Sequence, residues 1–183
     1  MYRTLAGFAA LACSVALLSG CVTGPAPVNY APTSVKTVKG AVGVGDFVYL
    51  PSEPGAAKKV DPDVIQNTAV GTVRIDRPVK TFVRDAVFAE LRIVGVNVSD
   101  TQKILTGEIE EFLIDDLGFN VDWTLRIKYT IHDAKTNAAI YQSDKLEKRR
   151  TGKFMNPFGA INETIKLDVE EMLDDPDFVK AIN

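Results

Sequence analysis

The sequence predicts an α+β two-layer sandwich, in which helices pack on one face of an antiparallel sheet. Apolar and polar residues alternate strictly from Val121 to Asp133, as in a strand with one buried face. Apolar residues recur at helical spacing before this strand, between Asp76 and Gly95, and after it, between Ala160 and Leu173. The element order is therefore strand, helix, three-stranded meander and helix.

The first strand is predicted over Gly40 to Leu50, because a glycine-rich start leads into consecutive apolar residues. A polar loop from Ser52 to Asn67 follows, and Ala69 to Ile75 is a weaker strand candidate. Gly43 and Gly45 do not indicate a nucleotide site, because the third glycine of that fingerprint is missing and a proline-rich loop follows.

The first helix is predicted over Asp76 to Gly95. Asp76 is expected to cap it, Pro78 to lie in its first turn and Gly95 to end it. Its apolar face, which is expected to lie across the sheet, consists of Val79, Phe82, Val83, Ala86, Val87, Leu91 and Val94.

A short strand at Val96 to Val98 is predicted to precede the meander. The first strand of the meander is predicted over Lys103 to Ile114, where a change of phase at Glu110 and Glu111 indicates a β-bulge. Val121 to Asp133 forms the central strand. Its buried side is predicted to consist of Val121, Trp123, Leu125, Ile127, Tyr129 and Ile131, with Asp122, Thr124, Arg126, Lys128, Thr130 and His132 on the other side.

The more polar segment from Ala138 to Lys148 is predicted as an edge strand. An irregular loop is expected over Thr151 to Gly159, before the helix from Ala160 to Leu173. A last short helix follows, with Phe178 and Ile182 as its apolar anchors.

The N-terminal segment has one cation, Arg3, and an apolar run from Leu5 to Leu18 that is too short to span a membrane. The run ends in Leu18-Ser19-Gly20-Cys21, which resembles the lipobox of bacterial lipoprotein signal peptides. The resemblance implies cleavage between Gly20 and Cys21 and acylation of Cys21, for example with palmitate. The alternatives are an ordinary signal peptide with a chance cysteine and an apolar N-terminal helix.

This resemblance divides the chain into a signal peptide over 1–20, a lipidated N-terminus and flexible linker over 21–39, and a single globular domain over 40–183. Val22 follows the cysteine, where an Asp retains lipoproteins of proteobacteria in the inner membrane. The resemblance therefore implies the cell outer membrane as the location, with the domain on the periplasmic face.

Composition restricts the classes of function. The chain has 21 basic and 24 acidic residues, and loss of Arg3 with the signal peptide leaves a net charge of −4, which excludes a strongly basic nucleic-acid binder. Cys13 would be lost and Cys21 lipidated, so the mature domain is expected to have no disulfide, no catalytic thiol and no cysteine metal site. No cofactor or metal is predicted.

The densest cationic run ends the predicted edge strand and enters an apolar loop. Lys148, Arg149, Arg150, Lys153 and Phe154 are the candidate residues for binding a partner or ligand. Cations beside apolar residues suit an anionic lipid headgroup or an acidic envelope protein. The alternative is a solvated edge strand whose charges prevent aggregation.

No catalytic site is predicted, and the protein is expected not to be an enzyme. His132 is the only histidine and lies on the polar side of the central strand, without a suggested Ser or Asp partner. Asp115, Asp116 and Asp122 flank a turn, but they lack the spacing of a calcium-binding EF-hand loop.

The lipobox, the helix from Val79 to Gly95 and the strands from Leu105 to Tyr141 together resemble small envelope lipoproteins of the YajG type and the auxiliary lipoproteins of ABC-type lipid transporters. The resemblance implies a non-catalytic binding, assembly or transport-accessory subunit. An envelope-acting hydrolase and a structural lipoprotein without a specific ligand are the alternatives.

Overall fold

The computed structural model describes residues 24–68, 73–153 and 156–183. Within these residues, the strands are β1 (Gly43–Tyr49), β2 (Val64–Asn67), β3 (Val73–Arg74), β4 (Lys103–Asp115), β5 (Asn120–Asp133) and β6 (Ala139–Gly152). The helices are α1 (Val79–Ile93), α2 (Pro157–Leu173) and α3 (Pro176–Ile182), and a 3₁₀ turn over Leu50–Ser52 follows β1. None of the helices in the described ranges is long and apolar enough to cross a bilayer.

The sheet is mixed, which corrects the predicted antiparallel sheet. Strands β4, β5 and β6 form the predicted antiparallel meander. However, β1 and β2 both pair in parallel with β4, on its other edge, where Tyr49 lies opposite Ile109 and Gln66 lies opposite Leu113. Helix α1 lies between these strands and β4 in sequence, and a helical crossover returns the chain to the same end of the sheet, which makes the strands parallel.

The predicted β-bulge in β4 is confirmed. Ile109 lies opposite Ile127 and Glu111 lies opposite Arg126, so Glu110 is the extra residue. The bulge changes the phase of the strand, and as a result Ile109 and Phe112 are both buried although three positions separate them.

All three helices contribute to one hydrophobic core with the buried side of β5. That side has the predicted composition, namely Val121, Trp123, Leu125, Ile127, Tyr129 and Ile131. The opposite side of β5 is partly exposed at every predicted position. We call this second side of the sheet the open face.

The ends of the helices differ from the prediction in two places. Helix α1 begins at Val79 without a side-chain cap, because the Asp76 carboxylate instead pairs with Arg77 at 2.9 Å. Helix α2 begins at Pro157, where Asn156 accepts a hydrogen bond from the amide of Phe158 at 3.1 Å. Asn-Pro is a strong start signal, so the helix replaces part of the predicted loop.

Two short predicted strands also change. The segment Val96 to Val98 forms no strand, and Asn97 makes a single bridge to Ala41. The candidate strand from Ala69 to Ile75 lies partly outside the described residues, and its described part contains β3. The predicted end of α1 is confirmed at Gly95, whose φ of +98° is a conformation that favours glycine.

The segment predicted as a linker packs against the domain from Ala26 onward. Ala26 pairs in parallel with Ile75, and Val28 is buried in the core. Tyr30 then contacts Glu90 of α1, and Ser34 is buried beside it. Residues 26–34 therefore lie along the helices and do not stand away from them.

Candidate functional site

The predicted basic cluster lies on a strand and not in a loop. Strand β6 continues to Gly152, and it places Lys148, Arg149 and Arg150 opposite residues of β5. Because side chains alternate along a strand, Arg149 lies on the helix side of the sheet, while Lys148 and Arg150 are exposed on the open face. The predicted cations therefore lie on both sides of β6, although Lys148, Arg149 and Arg150 line one open groove along this strand.

Most of these cations have partners within the domain. Arg150 pairs with Asp122 through two hydrogen bonds of 2.6 and 2.8 Å, and this contact lowers the pKa of the Asp122 carboxyl. Arg149 donates to the carbonyl of Ala160 at 3.4 Å. Among the described residues, Lys148 has no hydrogen-bonded or ionic partner.

Lys148, Arg149 and Arg150 line an open groove along β6, whereas Lys153 lies beside a more enclosed cavity. Its ammonium pairs with Asp116 at 3.0 Å and donates to the carbonyls of Asp116 and Gly118 at 3.3 and 3.4 Å. The neighbouring candidate Phe154, like Gly20 and Cys21 of the predicted lipobox, lies outside the described residues.

The cavity has a volume of about 260 Å³ and lies at the end of the sheet where β2, the β4–β5 hairpin and the start of α2 meet. We call it the end pocket. Its apolar wall consists of Val73, Ile114, Val121, Trp123, Pro157, Phe158 and Ile161, and its polar rim includes Asn67, Asp116, Thr151 and Lys153.

Trp123 is the central residue of this wall and the only tryptophan of the chain. Its indole N–H donates to Oγ1 of Thr151 at 2.8 Å. Because the polar atom of the indole is satisfied within the fold, the ring presents an apolar surface to the pocket. The pocket can therefore hold an apolar group and offers it a cation, Lys153, at the rim.

Sequence reasoning identified Lys153 but missed the pocket itself. The apolar wall residues alternate or recur as core residues do, and they come from four different elements, β3, β4, β5 and α2. Among the described residues, the signal at this end of the domain is the pair of large apolar residues in the β4–β5 turn, Leu117 and Phe119, where a turn is usually polar.

A second, shallower groove of about 470 Å³ lies on the open face beside the β-bulge. Glu110, Glu111, Arg126 and Lys58 contribute to its lining, so the bulge brings both glutamates to one groove. Arg126 lies 3.9 Å from Glu110. This groove is polar and open to solvent, and it offers no enclosed space for a ligand.

His132 lies on the open face, opposite Ile104 of β4. Among the described residues, its Nδ1 atom has no hydrogen-bond partner. A histidine that acts as a base in a catalytic triad is oriented by a hydrogen bond to that second nitrogen. The geometry therefore gives His132 none of the contacts that such a role requires.

The domain also contains a buried acid in the core. Asp168 of α2 is fully buried and accepts a hydrogen bond from the Tyr129 hydroxyl at 2.7 Å. Burial raises the pKa of Asp168 to about 8. The side chain is therefore protonated at neutral pH, and its contact with Tyr129 joins α2 to β5.

Comparison with known proteins gives a fold but no family. The sequence matches no protein-family model, and no curated protein is similar to it. Among solved structures, a lipoprotein from Caulobacter crescentus is 12% identical, with a TM-score of 0.42 over 63% of this chain and 88% of that one. A Neisseria meningitidis lipoprotein is 11% identical, with a TM-score of 0.34 over 74% and 99%.

A Xanthomonas campestris protein of the family designated DUF330 is more similar in structure. The two chains are 12% identical, with a TM-score of 0.61, and the match covers 84% of this chain and 93% of that one. At this identity the match establishes a common fold and not a common activity. The chain therefore has the α+β fold of a DUF330 protein.

Proposed function

We propose that this protein is a non-catalytic envelope lipoprotein, anchored through Cys21, that binds an amphiphile in the end pocket as an accessory subunit. The observation that supports the binding role is the apolar wall around Trp123 with Lys153 at its rim. The outer membrane and its periplasmic face are part of the proposal, because Val22 occupies the position where an Asp would retain the lipoprotein.

The size and lining of the end pocket favour one end of an acyl chain. Its volume of about 260 Å³ is slightly below that of a typical small-molecule site, which is ~300–1,000 Å³. An apolar wall excludes a sugar or a peptide backbone, whose polar groups would lose their hydrogen bonds on burial. An acyl chain has no such groups.

Lys153 suits the other end of an amphiphile. In the free protein its ammonium pairs with Asp116 and two carbonyl oxygens at the rim. An anionic headgroup at the mouth could replace the carbonyl contacts and would neutralise the cation. Lys148, which is exposed on β6 and has no partner in the described chain, adds a second positive charge near that end.

A hydrolase, the alternative from the sequence, receives less support from the geometry. The open face places Ile104 opposite His132 at the start of β4. The carboxylates of Asp115 and Asp116 lie at the other end of that strand, where they contact Thr68 and Lys153. A hydrolytic mechanism needs a nucleophile and a base within hydrogen-bond reach. The proposal of a binding subunit does not depend on such a pair.

In-cell photo-crosslinking tests the proposal. A photoreactive amino acid replaces Phe158 at the pocket rim, or Ile140 at the other end of the domain as a matched control, since the two side chains are 38% and 45% exposed. We expect a lipid adduct at position 158 and not at position 140, detected by mass spectrometry. A protein adduct at 158 alone would make the ligand a partner protein, and equal labelling at both positions would contradict the binding site.

A further inference from the structure

We infer that the end of the domain that carries the end pocket rests on the membrane and inserts Leu117 and Phe119 into its surface. This inference rests on the lipid anchor of the proposed function and adds an orientation to it. Two independent features support it, namely the direction of the N-terminal chain and the distribution of exposed apolar side chains.

The described chain starts at the same end of the domain as the pocket. Ala26 forms a parallel bridge with Ile75, and its amide donates to the carbonyl of Arg74 at 3.0 Å. Because the two segments are parallel, the chain that precedes Ala26 runs along β3 toward Val73, which lines the end pocket. The Asn162 side chain of α2 also donates to the carbonyl of Asn29 at 3.0 Å, close to the start of that helix.

The distance from this point to the anchor is short. Ala26 lies five positions after Cys21, and a fully extended chain of this length spans at most ~18 Å. A lipidated Cys21 would therefore hold the end pocket, and not the opposite end of the domain, near the membrane.

The same end exposes large apolar side chains. Leu117 and Phe119, at the tip of the β4–β5 hairpin, are 73% and 96% exposed, and Phe158 lies at the rim of the pocket. The amide of Lys153 donates to the carbonyl of Phe119 at 3.3 Å, which joins the tip to the end of β6. Aromatic residues at such a tip are favoured at the boundary between headgroups and acyl chains.

Charges at this end are compatible with contact with a membrane. Asp116 pairs with Lys153, Asp122 pairs with Arg150, and Asp115 accepts a hydrogen bond from Thr68 at 2.6 Å. Neutralised carboxylates are repelled less by anionic headgroups than free ones are. The end is thus apolar at its tip, with acidic groups that have partners behind it.

Tryptophan fluorescence of the full-length, lipidated protein tests this orientation. The protein is purified from a bacterial host and placed in phosphatidylethanolamine–phosphatidylglycerol vesicles that contain acyl-brominated phosphatidylcholine, a quencher of nearby tryptophans. Phe119→Trp probes the tip. Val35→Trp is the matched control, because Val35 is 95% exposed and precedes Lys36, which pairs with Asp174 at the far end of α2.

We expect the bromine to reduce the added emission of Phe119→Trp at least about twofold more than that of Val35→Trp, because an indole at the tip sits among the acyl chains. The parent protein, with Trp123 alone, supplies the baseline, and thermal unfolding confirms that each variant folds. Protein that floats with the vesicles but shows equal quenching at both positions would overturn the orientation and leave the anchor intact.

Two other outcomes are distinguishable. Protein that does not float with the vesicles would overturn the lipid anchor, and with it the proposed location. A Phe119→Trp emission that is protected from bromine and from acrylamide alike would show that a second copy or another protein covers the tip, which would also overturn the membrane contact.

Discussion

The Tyr30 hydroxyl donates a hydrogen bond of 2.5 Å to Oε1 of Glu90, and this contact joins the N-terminal segment to the last turn of α1. Glu90 is fully buried, and its carboxylate also accepts hydrogen bonds from the amides of Thr33 and Ser34 at 3.1 and 3.2 Å. One acidic side chain thus satisfies three donors that are distant in sequence. The hydroxyl of Ser34 in turn donates to Glu170 of α2 at 2.6 Å.

Replacing Glu90 should release this segment. We expect Glu90→Ala to lower the free energy of unfolding by about 2–4 kcal/mol, because three donors lose a charged acceptor. Urea unfolding measures the loss, and hydrogen exchange should show faster exchange at the amides of Thr33 and Ser34. Asp85→Ala, which removes an exposed carboxylate from the same helix, is the control and should leave both amides protected.

The stability of the protein should depend on pH through Asp168. The pKa of this carboxyl is raised by burial from 3.8 to about 8, so the folded protein holds a proton that the unfolded chain releases above about pH 4. The contribution of the protonated Asp168 carboxyl to the free energy of unfolding is therefore complete below about pH 4. It is lost progressively as the pH rises from there through 8. Between pH 5 and 7, we expect wild-type protein to lose about 1.4 kcal/mol per pH unit more than Asp168→Asn does.

The Asp168→Asn side chain keeps an oxygen that can accept the hydrogen bond from Tyr129 but has no proton to release. Unfolding free energies from urea titrations at several pH values provide the comparison. Asp174→Asn, at the exposed end of the same helix, should retain the wild-type slope. Parallel curves for wild-type protein and Asp168→Asn would show that Asp168 is not the group responsible.

A methyl group at position 107 should destabilise the sheet. Gly107 lies opposite both Phe47 and Tyr129, and a Cβ atom there would overlap the ring of Phe47. We expect Gly107→Ala to cost about 1–3 kcal/mol of unfolding free energy, as overpacked cores do. A Cβ at Gly152 meets no atom within 4 Å, so Gly152→Ala should change stability by no more than ~0.5 kcal/mol.

The double variant Phe47→Leu with Gly107→Ala separates steric overlap from an effect on the backbone. The smaller side chain leaves room for the new methyl group, so the double variant should be less destabilised than the sum of the two single changes. Strict additivity of the two changes would argue against overlap as the cause.

The basic residues of β6 should matter more for binding than for folding. Replacing Lys148, Arg149 and Arg150 together with Ser should lower the unfolding free energy by at most about 2 kcal/mol, since exposed ion pairs contribute ~0–1 kcal/mol each. We expect weaker lipid crosslinking at Phe158. Replacing Lys58, Lys59 and Lys135, three exposed lysines elsewhere, removes the same charge and should leave crosslinking unchanged. Unchanged crosslinking in both variants would exclude this strand from the site.

The meander was predictable because its signals are local. The alternation along β5 and the change of phase at Glu110 are properties of consecutive residues, and the structure confirms both. The apolar faces of α1 and α2 are likewise visible in their spacing. Such patterns fix which side of an element is buried but not which strand lies beside it.

The remaining features depend on contacts between distant residues. The parallel pairing of β1 with β4 produces no pattern among consecutive residues. The same is true of the hydrogen bond between Tyr30 and Glu90, which are 60 positions apart. The proline-rich composition of residues 22–39 predicted a linker. In the structure, however, Val28 and Ser34 of this segment are buried against the helices. The length of β6 was underestimated because its exposed side is charged, as suits an edge strand.

The path of the N-terminal segment also determines which contacts would carry tension applied at the N-terminus. A pull on the proposed anchor at Cys21 would reach the described fold first at Ala26, which is hydrogen-bonded to Arg74 and bridged to Ile75, and then at the Glu90 carboxylate. Tension along this segment would therefore pass into β3 and the last turn of α1. In the proposed lipoprotein, tension on the anchor would thus be carried in part by a fully buried carboxylate, that of Glu90.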